Sequence, residues 1–179
     1  MKHLKTALLL LFILSLALVL HGQNVASKST KYYKVSYPEA WEVQEIDENV
    51  FTAFAKGNPM IPLTLAIVVT DIDEEDAEKG LTALAEEMLE ESGEEFEEMG
   101  LEPEIDIEIS EETRLNGIPT YHYTMSVGIM GLTTHTENYL FQSGQKLIVM
   151  SVVGAKEDLE ENAEAISEIF KSFRLTKTD

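Results

Sequence analysis

Two stretches of this sequence limit the folds open to it. Leu63 to Ile72 contains Leu63, Leu65, Ala66, Ile67, Val68 and Val69 with only Thr64 between them, and Lys146 to Val153 contains Leu147, Ile148, Val149, Met150, Val152 and Val153. Both are short, β-branched and apolar at consecutive positions, so a strand made of either has hydrophobic side chains on both faces. Such strands need cover from two sides. Two segments with helical periodicity can supply it. Over Glu74 to Glu91, Ala77, Leu81, Leu84, Ala85, Met88 and Leu89 form one apolar stripe, with Asp73 as N-cap and Gly93 as the expected stop. Over Glu157 to Lys171, Leu159, Ala163, Ile166, Ile169 and Phe170 form another, continued by Phe173.

The remaining segments read as further strands. Tyr32 to Tyr37 alternates and is closed by Pro38; Trp41 to Ile46 and Val50 to Ala55 follow, the latter ended by Gly57-Asn58-Pro59. Ile105, Ile107 and Ile109 alternate with Asp106, Glu108 and Ser110, which predicts a strand with one face buried and one wet. Asn116-Gly117 is a hairpin dipeptide, and turns at Gly128 to Gly131 and Ser143-Gly144 separate Thr120–Val127, Leu132–Gln142 and the final strand. Four consecutive strands with tight turns make an antiparallel meander. The fold expected is α+β: a single antiparallel sheet of six to eight strands flanked by two main helices.

The N-terminus states a destination. Lys2 and Lys5 precede an apolar stretch from Ala7 to Leu20, the form of a secretory signal over residues 1–22, too short for an ordinary spanning helix. Residues 23–31 are polar and read as a flexible leader, 32–175 as one domain, and 176–179 as a tail. The expected location is periplasmic or secreted, with no spanning helix after signal cleavage. No Cys is present, which rules out a lipid-modified cysteine, a disulfide framework and a thiol nucleophile.

The net charge of −20 argues against nucleic acid as a partner. Nearly all of it is local: Asp71 to Glu112 holds 20 acidic residues and one basic residue, Lys79. Such a window keeps copies apart in solution. It also offers a patch for a basic partner or a divalent cation, headed by Asp71, Asp73, Glu74, Glu75 and Asp76. An EF-hand is excluded, because Asp76 stands where the loop needs Gly and Thr82 where it needs the bidentate Glu.

Motifs for catalysis are missing. The sequence has no G-x-S-x-G, H-E-x-x-H, Walker loop or G-x-G-x-x-G, so no catalytic residue and no cofactor is assigned. Outside the signal only His122 and His135 remain. A two-residue turn at Ile129-Met130 would set His122 opposite Glu137 and Thr124 opposite His135. His122, His135 and Glu137 would then share a face as a candidate divalent-metal set, against the commoner reading of a polar sheet face. Tyr121, Tyr123, Tyr139 and Phe141 could line an apolar pocket or simply pack the sheet.

An aromatic strand ending in Tyr37-Pro38 with Trp41 three residues later resembles the opening of PsbP-like domains. Ile169-Phe170-Lys171-Ser172-Phe173-Arg174-Leu175 is similar to their "I-x-x-S-F" tail. That group includes the extrinsic photosystem subunit, the Ran-binding Mog protein and exported bacterial proteins of the DcrB kind. The resemblance spans about Lys31 to Leu175 and implies a sandwich of sheet and helices with no shared catalytic residues. The function expected is an exported, non-catalytic domain that binds a protein partner at the cell envelope or outside it. The alternatives are a small-molecule or divalent-cation binding module and, from another class, a metal-dependent enzyme.

Overall fold

The computed structural model describes residues 24–45, 47–56 and 60–176; the expected signal over 1–22, the Gly57-Asn58-Pro59 turn and the last three residues lie outside them. Val25–Ser29 (β1) pairs antiparallel with Tyr33–Pro38 (β2), so the segment expected as a flexible leader is a strand. Thr30 explains the turn between them. Its Oγ1 accepts hydrogen bonds from the N–H groups of Tyr32 and Tyr33, both at 3.1 Å, while Ala26 packs against the core. Glu42–Glu45 (β3) and Val50–Phe54 (β4) form the next hairpin, its loop held by Asp47 Oδ1, which accepts from the N–H groups of Asn49 and Val50 at 2.7 and 2.9 Å.

Thr64–Asp71 (β5) leads into Glu74–Lys79 (α1), which starts where expected: Asp73 Oδ1 accepts from Asp76 N–H at 2.8 Å. The helix then breaks at Gly80, where φ is +86°, a value glycine adopts without a Cβ penalty. Leu81–Glu98 (α2) restarts and passes through Gly93, so the stop expected there comes five residues later, after Glu98. Glu104–Leu115 (β6), Ile118–Ile129 (β7), Leu132–Ser143 (β8) and Lys146–Gly154 (β9) form the meander. Asn116 and Gly117 take φ of 54° and 83° in the first turn. The second turn is Met130-Gly131, with φ of 53° and 81°, one residue later than the expected Ile129-Met130. Lys156–Glu161 (α3) and Ala163–Ser172 (α4) meet at Asn162, which splits the last helix, and Arg174–Leu175 (β10) closes the chain.

Seven strands build the main antiparallel sheet in the order β3-β4-β5-β9-β8-β7-β6. Leu65 lies opposite Val152 and Ile67 opposite Met150, so the two doubly apolar runs are neighbours at its centre. A second, three-stranded sheet, β1-β2-β10, adds to the single one expected. It covers one face of the main sheet together with α4: Tyr33, Val35, Phe141, Met150, Ile169 and Phe173 belong to one buried cluster. On the opposite face α2 seals a smaller core with Leu84 and Ala85 against Tyr121, Tyr123, Leu140 and Leu147. Because α2 crosses the β6–β8 half, Ala66 and Val68 on β5 are only half-buried on that side, and the two-sided cover expected for this strand is partial.

The two motifs behind the family resemblance close this packing. Trp41 N–H donates to Pro38 O at 3.0 Å and its ring is buried, while Tyr37 tilts against Phe51 at 5.3 Å. Ser172 Oγ accepts from Ser36 N–H at 2.8 Å and donates to Ile169 O at 2.7 Å, binding α4 to β2. Phe173 stacks on Phe141 at 4.5 Å and on Tyr33 at 6.0 Å. Asn116 Nδ2, at the tip of the β6–β7 hairpin, donates to Phe170 O and Phe173 O at 2.8 and 3.0 Å and so satisfies carbonyls at the end of α4. Phe173→Ala removes the ring shared by both sheets and is expected to cost about 3–5 kcal/mol. Ile107→Ala on the exposed edge should change stability by less than about 1 kcal/mol. Urea unfolding of the two variants checks the contrast.

Candidate functional site

The outer half of the main sheet, β6 to β8, carries the residues singled out from sequence. Period two places His122, Thr124 and Ser126 of β7 on the α4 face with His135, Glu137 and Tyr139 of β8. The later turn shifts the pairing by two: His122 opposes Tyr139, Thr124 opposes Glu137, and Ser126 opposes His135. The structure therefore joins His122 and Glu137 diagonally, with Nε2 3.3 Å from Oε1, and leaves His135 a further pair along the strand. Among the described residues no group of three His, Asp or Glu side chains stands close enough to hold a metal ion.

A tighter set forms instead around Tyr139. Its ring stacks on the His122 imidazole at 4.3 Å, nearly parallel, and meets Phe170 of α4 edge-on at 4.8 Å. The Tyr139 hydroxyl donates to Glu137 Oε1 at 3.0 Å. Burial, followed by the charge of Glu137, holds this phenol well above its ordinary pKa of 10.0. His122 Nε2 and Thr124 Oγ1 are buried on the same face without a hydrogen-bond partner; the Glu137 carboxylate is near Nε2 but poorly angled to it. The four aromatics considered as a pocket are divided between faces. Tyr121 and Tyr123 pack with Leu84 and Ala85, while Tyr139 and Phe141 pack with the core under α4.

The head of the acidic window is largely engaged within the chain. Asp71 pairs with Lys146, Asp73 caps α1, and Asp76 lies 2.6 Å from Lys79 Nζ, which Glu87 also meets at 2.9 Å. The hydrogen bonds to Asp76 and Glu87 raise the Lys79 pKa above its ordinary value. Of the five patch residues, Asp71, Asp73, Glu74 and Glu75 are exposed and Asp76 is half-buried.

Val25, Val43, Met60 and Met99 are exposed at separate places, whereas several exposed apolar side chains gather at β6. Ile105, Ile107 and Ile109 are 40%, 43% and 40% exposed, against the expectation of a buried face. A bulge between Ile107 and Ile109 divides them. Ile105 and Ile107 face Val127 and Met125 on the α2 side, whereas Ile109 faces Thr124 on the α4 side. β6 is also the last strand of the sheet. Met130 and Leu132, at the adjacent β7–β8 turn, are exposed as well. Sequence alternation finds the strand; it cannot show how far a covering layer reaches over it.

No family model and no curated protein matches the chain. Solved structures do. Cyanobacterial PsbP (CyanoP) from Synechocystis sp. PCC 6803 superposes with a TM-score of 0.65 at 13% identity, over 87% of this chain and 95% of its own. LpqN, involved in cell envelope biogenesis of Mycobacterium tuberculosis, gives 0.55 at 13% identity, over 88% of each chain. A Bacteroides thetaiotaomicron protein gives 0.54 at 12% identity over 87% of this chain, which spans 49% of that neighbour's length. The fold is PsbP-like. At these identities the likeness concerns architecture alone.

Tyr33, pushed up to about 12, and Tyr123 share with Tyr139 the preference of a buried phenol for its neutral form. A raised folded pKa leaves this contribution to stability intact below the unfolded value of 10.0, and it is lost as pH rises through the folded values. Alkaline unfolding above about pH 10 is therefore expected, with these tyrosines ionising late in an ultraviolet titration. Glu137→Gln should bring the Tyr139 transition to lower pH; an unmoved transition would contradict the contact.

Proposed function

We propose that this PsbP-like domain is exported and acts without catalysis, by binding a protein partner at the cell envelope or outside it. The observation that carries this reading is where apolar surface is left open. Both cores are closed, yet three isoleucines remain exposed along one edge strand, with Met130 and Leu132 beside them. Ile105 and Ile107 lie together on the α2 side, and open apolar surface rimmed by polar residues is characteristic of protein contacts. The recesses elsewhere fit a ligand-binding role less well. One of about 540 Å³ is an open cleft bordered by Lys28, Lys31, Glu45 and Glu48, and a second, of about 550 Å³, opens between Pro38, Trp41 and Lys56. Export rests on the N-terminal sequence, and the envelope setting is in keeping with the stated role of LpqN.

A photo-crosslinking amino acid at position 107, introduced in the producing cell, is expected to give discrete adducts with an envelope or extracellular protein. The same group at exposed Lys56, on the far side of the sheet, should give none. Equal labelling from both positions would sink the reading.

A second reading, a site for a divalent cation or a small polar ligand, is favoured by one observation: His122 Nε2 and Thr124 Oγ1 are buried and unpartnered beside Glu137. Metal analysis of untagged protein tests it. Stoichiometric metal, lost on chelation and absent from His122→Ala, is the outcome that would favour this reading over the first.

A further inference from the structure

β6 ends the seven-stranded sheet, and it is twelve residues long. Among the described residues no backbone group outside β7 bonds to it, so its outer row of amides and carbonyls is free to pair. Edge strands are ordinarily kept from pairing by shortness, charge, proline or a bulge. This one has charge and a bulge, and nevertheless displays Ile105, Ile107 and Ile109. Protection alone does not require isoleucine at those positions. Between and beyond them stand Glu104, Asp106, Glu108, Glu111 and Glu112, opposed within the strand only by Arg114, which donates to Gly117 O.

Resting on the reading of this edge as a partner surface, we infer that β6 accepts an extended segment as an eighth strand. The segment alternates apolar with Lys or Arg side chains. Backbone pairing supplies part of the affinity in this mode of recognition, and side chains supply the choice of partner. Apolar residues of the incoming strand would cover Ile105 and Ile107 on the α2 side, leaving its cations on the α4 side. Its cations would meet Glu104, Asp106 and Glu111. A second copy of this chain is a poor occupant, because pairing β6 with β6 brings two rows of carboxylates together. Charge complementarity thus selects a basic strand over self-association.

The probe is a synthetic peptide of alternating lysine and valine with a fluorescent label, titrated against the full chain. Controls are its glutamate-valine counterpart and a version N-methylated along one edge, which cannot extend the ladder. Expected are saturable binding of the lysine-valine peptide, loss of about tenfold or more on N-methylation, and no binding of the glutamate form. Slowed exchange should appear at β6 amides and not at β3, the opposite edge. Ile105→Thr/Ile107→Thr and Asp106→Lys/Glu111→Lys, each verified as folded by circular dichroism, should each weaken binding at least about tenfold. Equal affinity for the N-methylated peptide, absence of protection on β6, or concentration-dependent protection without peptide would each overturn the inference. Crosslinking from position 107 together with failure of the peptide series would leave the partner reading standing and strand addition refuted. Peptide binding without cellular crosslinks would refute the partner reading alone.

Discussion

One aromatic contact holds the two sheets as a unit. Phe173 lies fully buried between Phe141 of the large sheet and Tyr33 of the small one. The small sheet has three short strands, and such an assembly is marginal in water without a hydrophobic face to pack on. Ser172, one residue earlier, fixes the rotation of this ring by bonding both α4 and β2. Asn116 adds a third tie from the β6–β7 hairpin, distant in sequence. The end of the last helix is therefore where the first strands, the meander and the C-terminus meet. That gives a physical reason for a Ser-Phe pair in the tail: hydrogen-bond direction and ring volume are both needed there.

Much of the architecture was legible because it follows local rules. The central pairing of Leu65 and Ile67 with Val152 and Met150 follows from two runs apolar on both faces. Asp73 caps a helix and Asn116-Gly117 turns a hairpin for reasons confined to a few residues. What failed needed context. Gly80 and Gly93 look alike in the sequence, and only the first is left-handed. The Met130-Gly131 turn puts the more permissive residue at its second position, which moved His122 from Glu137 to Tyr139 without changing its face. Parity survived, and so the His122–Glu137 neighbourhood survived with it, while His135 was left outside.

The exposure of Ile105, Ile107 and Ile109, against the expected burial, has a different origin. Alternation records which residues share a side; burial depends on what is laid against that side. Here an extra residue at the bulge breaks the shared side, and as the edge strand β6 has a neighbour on one flank alone to help cover its side chains. The hydrophobic pattern thus identifies a strand without identifying core. Tyr121, Tyr123, Tyr139 and Phe141 show the converse. Grouped by composition they suggest one pocket, but strand parity sends them into two separate cores.

The charge distribution has a further consequence. The window from Asp71 to Glu112 carries nearly the whole net charge, and its elements α1, α2 and β6 adjoin in space. Electrically the molecule is therefore lopsided, with one strongly negative flank and an almost neutral remainder. Near a cationic surface such a body experiences a torque as well as a pull, felt over roughly the 8 Å Debye length of physiological salt. It would arrive already turned, negative flank leading, and much of the rotational search that slows the meeting of two proteins would be over before they touched.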